Sequence, residues 1–272
     1  LQHSRCQRRD IRDRVIVQIA AGHHRARGQR QVRGGERPAT LAREHARALL
    51  VTGHPEAAVA VLAEASRALV DPDDKRALML EAAQQAESVS RADLAAELLT
   101  EAFDAEPHVD LFYEPLLADL ASAALHADRA VIAAEIARSS EGESQADWLL
   151  VAGEATLQLP RGSTGAVWFF AQACAAEPGS VRALDTLREH AVSGRDRELL
   201  ADALERAGNA QAEIDPGQAA RLFSELASLA EDQLGAVRRA LLSWQRVLRL
   251  FPDDAAVHNN VARLSEKARI QD

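Results

Sequence analysis

The chain has 272 residues, a length that indicates two domains or one elongated array of repeats. Hydrophobic residues make up 47% but aromatic residues only 4%, which favours closely packed helices over a sandwich or a barrel. Cys6 and Cys174 are too few for a disulfide framework, and no apolar run is long enough for a membrane span. The two cysteines do not determine the compartment, and we take the cytoplasm as the default expectation. The source is expected to be a bacterium with a GC-rich genome, because lysine occurs only at 75 and 267 among 32 basic residues.

The net charge of -9 conceals two different parts. Residues 1–38 carry ten arginines and three acids, whereas the rest of the chain is strongly acidic. This basic segment lacks lysine, aromatic residues and any sustained hydrophobic period. Two interpretations stay open: a disordered tail, or text that is not native coding sequence. The second rests on the leading Leu1 and on an Arg-, His- and Gly-rich composition typical of a GC-rich gene read in the wrong frame.

From residue 39 onwards, apolar residues recur at helical spacing, and short breaks separate the segments. In chain order the predicted helices are LAREHARALLV, AAVAVLAEASRALV, ADLAAELLTEAF, YEPLLADLASAAL, AVIAAEIA, DWLLVAGEATLQL, AVWFFAQACAA, VRALDTLREHAV, RELLADALERA, AARLFSELASLAEDQL, VRRALLSWQRVLRL and AVHNNVARLSEKA. No segment alternates as a strand would. Helices with such brief connections are expected to pack as antiparallel neighbours.

Prolines give these helices a period. An acidic or apolar residue precedes a proline, interpreted as closing a helix, at Pro72, Pro107, Pro178, Pro216 and Pro252. The gaps are 35, 71, 38 and 36 residues, and 71 is close to two units. A period in the mid-thirties is typical of a solenoid built from helix pairs.

We number each 34-residue unit so that Pro107, Pro178 and Pro252 take position 32. In this numbering, residues of similar type align at three positions. Position 20 is Ala95, Ala166 and Ala240; position 24 is Leu99, Phe170 and Trp244; position 27 is Ala102, Ala173 and Val247. This pattern resembles the tetratricopeptide repeat family, which has small residues at 8 and 20, a large apolar residue at 24 and alanine at 27. At position 8, Ala83 and Ser228 fit the pattern and Glu154 does not.

The resemblance implies an all-α solenoid, a right-handed superhelix of antiparallel helix pairs. It divides the chain into a basic segment at 1–38, about six repeats over 39–254, and a capping helix or truncated repeat at 255–272. The units at 39–72, 110–143 and 180–214 match more loosely than the other three. In this family the first helices line an inner groove that holds extended peptides or partner helices, so we expect a protein or peptide partner.

The family's register also selects candidate groove residues, at positions 2, 5, 9, 12 and 13 of a unit. These are Glu114, Trp148, Gln158, Arg188, Glu225, Asp232, Asn259 and Arg263. Trp148 has two interpretations: a peptide anchor, or, the favoured one, a residue packed between units. The lysine and asparagine set of the two-carboxylate clamp, which binds chaperone tails, is not found in consecutive units.

Catalytic and metal-binding motifs are missing from the sequence, so we expect no enzyme, cofactor or metal site. The RGSTG loop is interpreted as a turn in which Ser163 or Thr164 caps the next helix. The acids around Pro72 and Pro252 are interpreted as helix N-terminal acids rather than calcium ligands. Cys174 lies on an apolar stripe and is expected to be a buried structural thiol.

The predicted function is therefore that of a non-catalytic scaffold that binds a peptide or partner helix in the groove. Two alternatives stay open. The array could regulate a catalytic domain outside these residues. Its likeness to arrays in large bacterial multi-repeat proteins leaves open whether the chain is a fragment of such a protein. The arginine-rich segment could contact nucleic acid, although the lack of aromatics and the acidic body disfavour this.

Overall fold

A computed structural model describes residues 36–271 of the chain and side chains from residue 38 to residue 270. The basic segment, except its last three residues, lies outside the described part. Within that part the chain is all-α, as predicted, with one short 3-10 helix at Asp110–Phe112. The α-helices are α1 Glu36–Val51, α2 Pro55–Ala68, α3 Pro72–Ser88, α4 Ala92–Ala105, α5 Tyr113–Ser122, α6 His126–Arg138, α7 Gly142–Leu157, α8 Ser163–Ala176, α9 Val181–His190, α10 Gly194–Gln211, α11 Pro216–Asp232, α12 Val237–Leu250 and α13 Ala255–Gln271.

The helices form two compact units, which divide after Ala123. The first unit contains α1 to α5, and the second contains α6 to α13. The division falls inside the predicted repeat 110–143, between its two helices. In the first unit α5 packs on α4, and in the second unit α6 packs on α7. The assignment of six repeats to residues 39–254 stays a prediction.

Within each unit every helix packs against the next one along the chain. The connections are so short that consecutive helices reverse direction, as expected for stacked helix pairs. The core consists of alanines and large apolar residues, with Leu78 and Leu99 in the first unit and Phe170 and Leu226 in the second. A single helix pair buries only one side of its apolar surface, so the stacking of successive pairs completes the core.

A backbone feature repeats with the same period as the sequence. The turn between the first and second helix of a pair contains one residue with positive φ, between 57° and 80°. These residues are Gly53, Ser90, Ala124, Arg161 and Gly235. The left-handed conformation suits glycine, which occupies two of these positions, Gly53 and Gly235. The turn between α9 and α10 has no such residue, and this exception shapes the candidate site.

Arginine side chains join helices that lie two places apart in the chain. Such pairs are Arg43–Glu81, Arg67–Glu101, Arg188–Glu225, Arg239–Asp202 and Arg263–Glu231, whose members are 38, 34, 37, 37 and 32 positions apart. These separations match the period of the prolines, so first helices contact first helices and second helices contact second helices. The planar guanidinium can hold a carboxylate with two hydrogen bonds, which suits arginine better than lysine to this role.

All five prolines were predicted to close a helix, but two of them begin one instead. Pro72 and Pro216 are the first residues of α3 and α11. Each follows an aspartate whose side chain accepts a backbone hydrogen bond at the helix start. Proline is favoured at a first helical position because it has no N–H to leave unsatisfied. Helix α3 itself is absent from the twelve segments predicted from apolar spacing.

In the second helix of each of three pairs, the alanine predicted to lie at the close approach of the two helices is in the expected place. Ala95, Ala166 and Ala240 are all fully buried. In two first helices, however, the small residue lies one position before the expected one. Gly153, rather than Glu154, faces the second helix: a Cβ added there would lie 2.2 Å from the Phe170 ring. In α7, counting back from Pro178 therefore places the small residue of position 8 one residue too late in the chain. The same offset occurs in α11, where Ala227 is buried and Ser228, the residue expected at position 8, is exposed.

Candidate partner-binding pocket

The candidate site arises from a short first helix in the second unit. Helix α9 has 10 residues, whereas the first helices on either side, α7 and α11, have 16 and 17. The Ser193 side chain accepts a hydrogen bond from the Asp196 N–H, and the Asp196 carboxylate accepts one from the Ser193 N–H. This capping box fixes the start of α10 just after α9 has ended.

The missing turns of α9 leave a pocket of about 350 Å³. It is bounded by the end of α9, the first turns of α10 and the last turns of α11. Ala191, Leu200 and Leu229 provide its apolar surface. Its polar lining consists of Arg188, Arg197, Glu225, Ser228, Asp232 and Gln233. Three of the eight predicted groove residues, Arg188, Glu225 and Asp232, are thus brought together in one place.

An ion pair forms a fixed wall of the pocket. Arg188 of α9 donates two hydrogen bonds to the Glu225 carboxylate of α11, with N–O distances of 2.8 and 2.7 Å. A third bond, of 2.5 Å, joins Arg188 to Asp185 on its own helix. The bonded Glu225 carboxylate raises the pKa of Arg188 above its ordinary value. Because these partners occupy its guanidinium, Arg188 is a positioned element of the wall rather than a free charge.

Two other charges of the lining are not engaged in this way. Among the described residues, neither Arg197 nor Asp232 has an ion-pair partner within 4.0 Å. Arg197 is partly exposed on the first turn of α10, and Asp232 is exposed at the end of α11. Among the described residues, the pocket therefore offers one cation and one anion without an ion-pair partner beside an apolar floor, and the Asp232 charge also acts at longer range on Arg263 of α13.

The other predicted groove residues do not join this pocket. Glu114 is exposed on α5 in the first unit, and Gln158 is exposed at the C-cap of α7. Trp148 is partly buried on α7 and engaged in an interaction within the protein. Asn259 is exposed on α13. The groove assignment of these residues stays a prediction.

Arg263 on α13, another of the predicted groove residues, forms an ion pair with α11. Its guanidinium donates to both carboxylate oxygens of Glu231 on α11, with N–O distances of 2.5 and 2.7 Å. Lys267 reaches the same carboxylate at 3.2 Å. The Arg263 hydrogen bonds, supported by Lys267, lower the pKa of Glu231 to about 2. Arg263 thus joins two helices.

The first unit contains a contact of opposite character. Asp119 on α5 lies close enough to Glu87 on α3 for the Glu87 charge to act on its carboxyl group. Asp119 is only 4% exposed, and its Oδ2 has no hydrogen-bond partner. Burial, reinforced by the Glu87 charge, raises the pKa of Asp119 to about 6. Two ionised carboxyl groups repel each other, and a proton on one of them removes this repulsion.

Of the smaller sequence predictions, two are confirmed and one is wrong. Asp71 and Asp254 cap α3 and α13 through bonds to backbone N–H groups, as expected for helix N-terminal acids. Cys174 is buried as predicted, and desolvation raises the pKa of its thiol to about 11. The capping role given to Ser163 or Thr164 was wrong. Gly162 occupies the cap position of α8, without a side-chain hydrogen bond, because the helix already begins at Ser163.

Two searches of the described residues gave negative results. Among residues 36–271, no three histidine, cysteine, aspartate or glutamate side chains are grouped so that they could hold a metal ion. In the same part of the chain, no helix combines the length and the apolar character needed to cross a membrane. The arginine-rich residues behind the nucleic-acid alternative lie outside this part, so that alternative stays a prediction.

Comparisons with known proteins place the chain near solved helical-repeat structures. No family model matches the sequence, and no curated protein matches it. The C-terminal part of a TPR repeat-containing protein from Cytophaga hutchinsonii is 13% identical, with 94% of this chain and 96% of that chain covered and a TM-score of 0.40. A tetratricopeptide repeat protein from Parabacteroides merdae is 14% identical, with 84% and 99% covered and a TM-score of 0.38.

A third similar structure is that of YrrB, described as a TPR protein with an unusual peptide-binding site. It is 15% identical, with 67% of this chain and 89% of that chain covered and a TM-score of 0.33. Because all these values are low, the assignment of tetratricopeptide-like helix pairs rests on this chain's own packing. That packing comprises the buried alanines, the recurring left-handed turns and the ion pairs between successive repeats.

Proposed function

We propose that this protein is a non-catalytic interaction scaffold and that the pocket between α9, α10 and α11 receives a segment of a partner protein. The observation that carries the proposal is the convergence of Arg188, Glu225 and Asp232 on one pocket. These residues were selected from the sequence only by their expected inward position. A partner segment bound here would contact two successive first helices, α9 and α11.

The chemistry of the pocket suits binding better than catalysis. Its titratable side chains are arginines and carboxylates, and none of them lies beside a hydroxyl or thiol nucleophile paired with a general base. The one cysteine among the described residues, Cys174, is buried with a raised pKa, which makes its thiol a poor nucleophile. A mixture of apolar floor and charged rim is typical of a protein interface.

Affinity capture from cells that produce the protein, using the full chain as bait, tests this function. The test variant combines Arg197→Glu with Asp232→Lys, which reverses the two free charges of the pocket. The control combines Arg195→Glu with Glu213→Lys, the same charge changes at exposed positions outside the pocket. All three baits should have the same helicity by circular dichroism.

We expect the wild-type and control baits to retain a common protein that the test variant loses. Retention of the same proteins by all three baits would exclude the pocket as the binding site. Retention of no protein by any bait would contradict the scaffold function itself.

A further inference from the structure

We infer that the pocket recognises a peptide segment in which an apolar side chain stands between an acidic residue, which pairs with Arg197, and a basic residue, which pairs with Asp232. This inference rests on the proposed function and adds the chemistry of the partner. It goes beyond inward position, because Arg197 and Leu200 belong to α10, a second helix from which the repeat register selects no groove residue.

The size and surface of the pocket define the central residue of the ligand. A volume of about 350 Å³ is near the lower end of the range of roughly 300–1,000 Å³ found for ligand pockets. Such a space accepts one large side chain with its flanking backbone. Ala191, Leu200 and Leu229 line it, so an apolar side chain gains most from entering, because it removes these carbons and itself from water.

The engaged charges do not contribute to selection. Arg188 and Glu225 satisfy each other through two hydrogen bonds, and Asp185 takes a further N–H of Arg188. A ligand would have to break these bonds to use either residue. Recognition of charge is therefore left to Arg197 and Asp232.

Both free charges lie at helix ends of unfavourable polarity. Arg197 follows the N-terminus of α10 by one turn, where the helix dipole favours an anion. Asp232 is the last residue of α11, where the dipole favours a cation. In α3, by contrast, Asp73 and Asp74 lie in the first turn, where the helix dipole favours them. A ligand acid beside Arg197 and a ligand base beside Asp232 would each be attracted by the side chain and by the helix end together.

Selection from a displayed library of random peptides tests the inference. The full-length wild type and the Arg195→Glu control should enrich peptides with an acid and a base on either side of an apolar residue. The Arg197→Glu variant should enrich peptides in which a base replaces the acid. The Asp232→Lys variant should enrich peptides in which an acid replaces the base.

A binding measurement then checks the pairing directly. By fluorescence anisotropy, a wild-type-selected peptide should bind Arg197→Glu at least about tenfold more weakly, and replacing the peptide's acid by lysine should restore affinity to that variant only. If all four proteins select the same sequences, the partner chemistry is wrong while the scaffold function stands. If the wild type selects no peptide, the scaffold function fails, and the inference fails with it.

Discussion

The two compact units differ in how one first helix meets the next. In the second unit the contact between α9 and α11 is an arginine with a carboxylate, Arg188 with Glu225. In the first unit, α1 and α3 are joined by Arg43 and Glu81 in the same way, but α3 and α5 bring two carboxyl groups, Glu87 and Asp119, near each other. One backbone arrangement therefore accepts opposite side-chain chemistries, because the alanine-rich core supplies most of the stabilisation.

This difference has a consequence for pH. An arginine keeps its charge at every ordinary pH, so an arginine–carboxylate contact persists as long as the carboxylate stays ionised. Asp119 and Glu87, in contrast, repel each other when both are ionised, so this region of the first unit is more stable when one of them holds a proton. The arginine–carboxylate contacts of the second unit should thus keep their strength when the pH changes around neutrality. In the first unit, the packing around Asp119 and Glu87 should weaken as the pH rises.

The largest expected effect tests whether the cores of the two units are built in the same way. Phe170→Ala in the second unit and Leu99→Ala in the first remove fully buried side chains at the same register position. Each should lower the free energy of unfolding by about 3–5 kcal/mol in urea denaturation, through lost burial and a residual cavity. A loss below about 1 kcal/mol for either variant would mean that the two positions are not equivalent.

Gly153 provides the next largest effect and belongs to the second unit. A Cβ at this position would lie 2.2 Å from the Phe170 ring, so Gly153→Ala should cost about 1–3 kcal/mol despite the better helix propensity of alanine. Gly194→Ala is the matched control, since a Cβ there meets nothing within 4 Å. Equal stability of the two variants would contradict the close approach of α7 and α8.

The proton-dependent contact makes the first unit distinguishable by pH. The pKa of Asp119 is raised to about 6 in the folded chain, so the folded state binds the extra proton. The associated stability is fully present below the unfolded pKa of roughly 4 and is lost as the pH rises through about 6. Asp119→Asn should abolish this dependence and be more stable than the wild type at pH 8 by about 1–2 kcal/mol.

Urea denaturation between pH 4 and pH 8 measures this effect, with Glu97→Gln on α4 as an exposed control. The control should follow the wild-type curve. An Asp119→Asn variant that parallels the wild type across this range would mean that Asp119 is ionised throughout, and the contrast between the units would disappear.

The smallest effect concerns the arginine contact in the second unit. Arg188→Met keeps the packing of the side-chain stem but removes two hydrogen bonds to Glu225. Because both side chains are about one-third exposed, the coupling energy in a double-mutant cycle with Glu225→Gln should be about 0.5–1 kcal/mol, and it should not change between pH 6 and pH 8. A coupling that varies over this range would contradict the proposed difference between the units.

Much of the fold is predictable from the sequence, because apolar spacing determines which face of each helix is buried. The alanines at 95, 166 and 240 mark the close approach of paired helices, and all three are buried. Helix α3 was missed because polar residues occupy both of its ends, including Gln84, Gln85 and Glu87 near its C-terminus, so its apolar spacing is short. The roles of Pro72 and Pro216 were misassigned because a proline marks both helix starts and helix ends.

The candidate pocket is less predictable, since it depends on a departure from the repeat. Sequence register identified Arg188, Glu225 and Asp232 but gave no sign that Arg188 and Glu225 would neutralise each other. Arg197 and Leu200 were missed altogether, because a second helix is not expected to line the groove. The available signal was the loose match of residues 180–214, together with the Ser193 and Asp196 spacing that begins α10 early.

Photo-crosslinking from inside the pocket tests the central claim most directly. A photoreactive amino acid would replace Ser228, an exposed residue of the lining, and in a matched protein it would replace Glu213, which is exposed outside the pocket. We predict that position 228 crosslinks to a partner protein in the producing cells, that position 213 does not, and that Arg197→Glu with Asp232→Lys abolishes the product. Equal crosslinking from both positions, or a product that survives the double substitution, would contradict binding in this pocket.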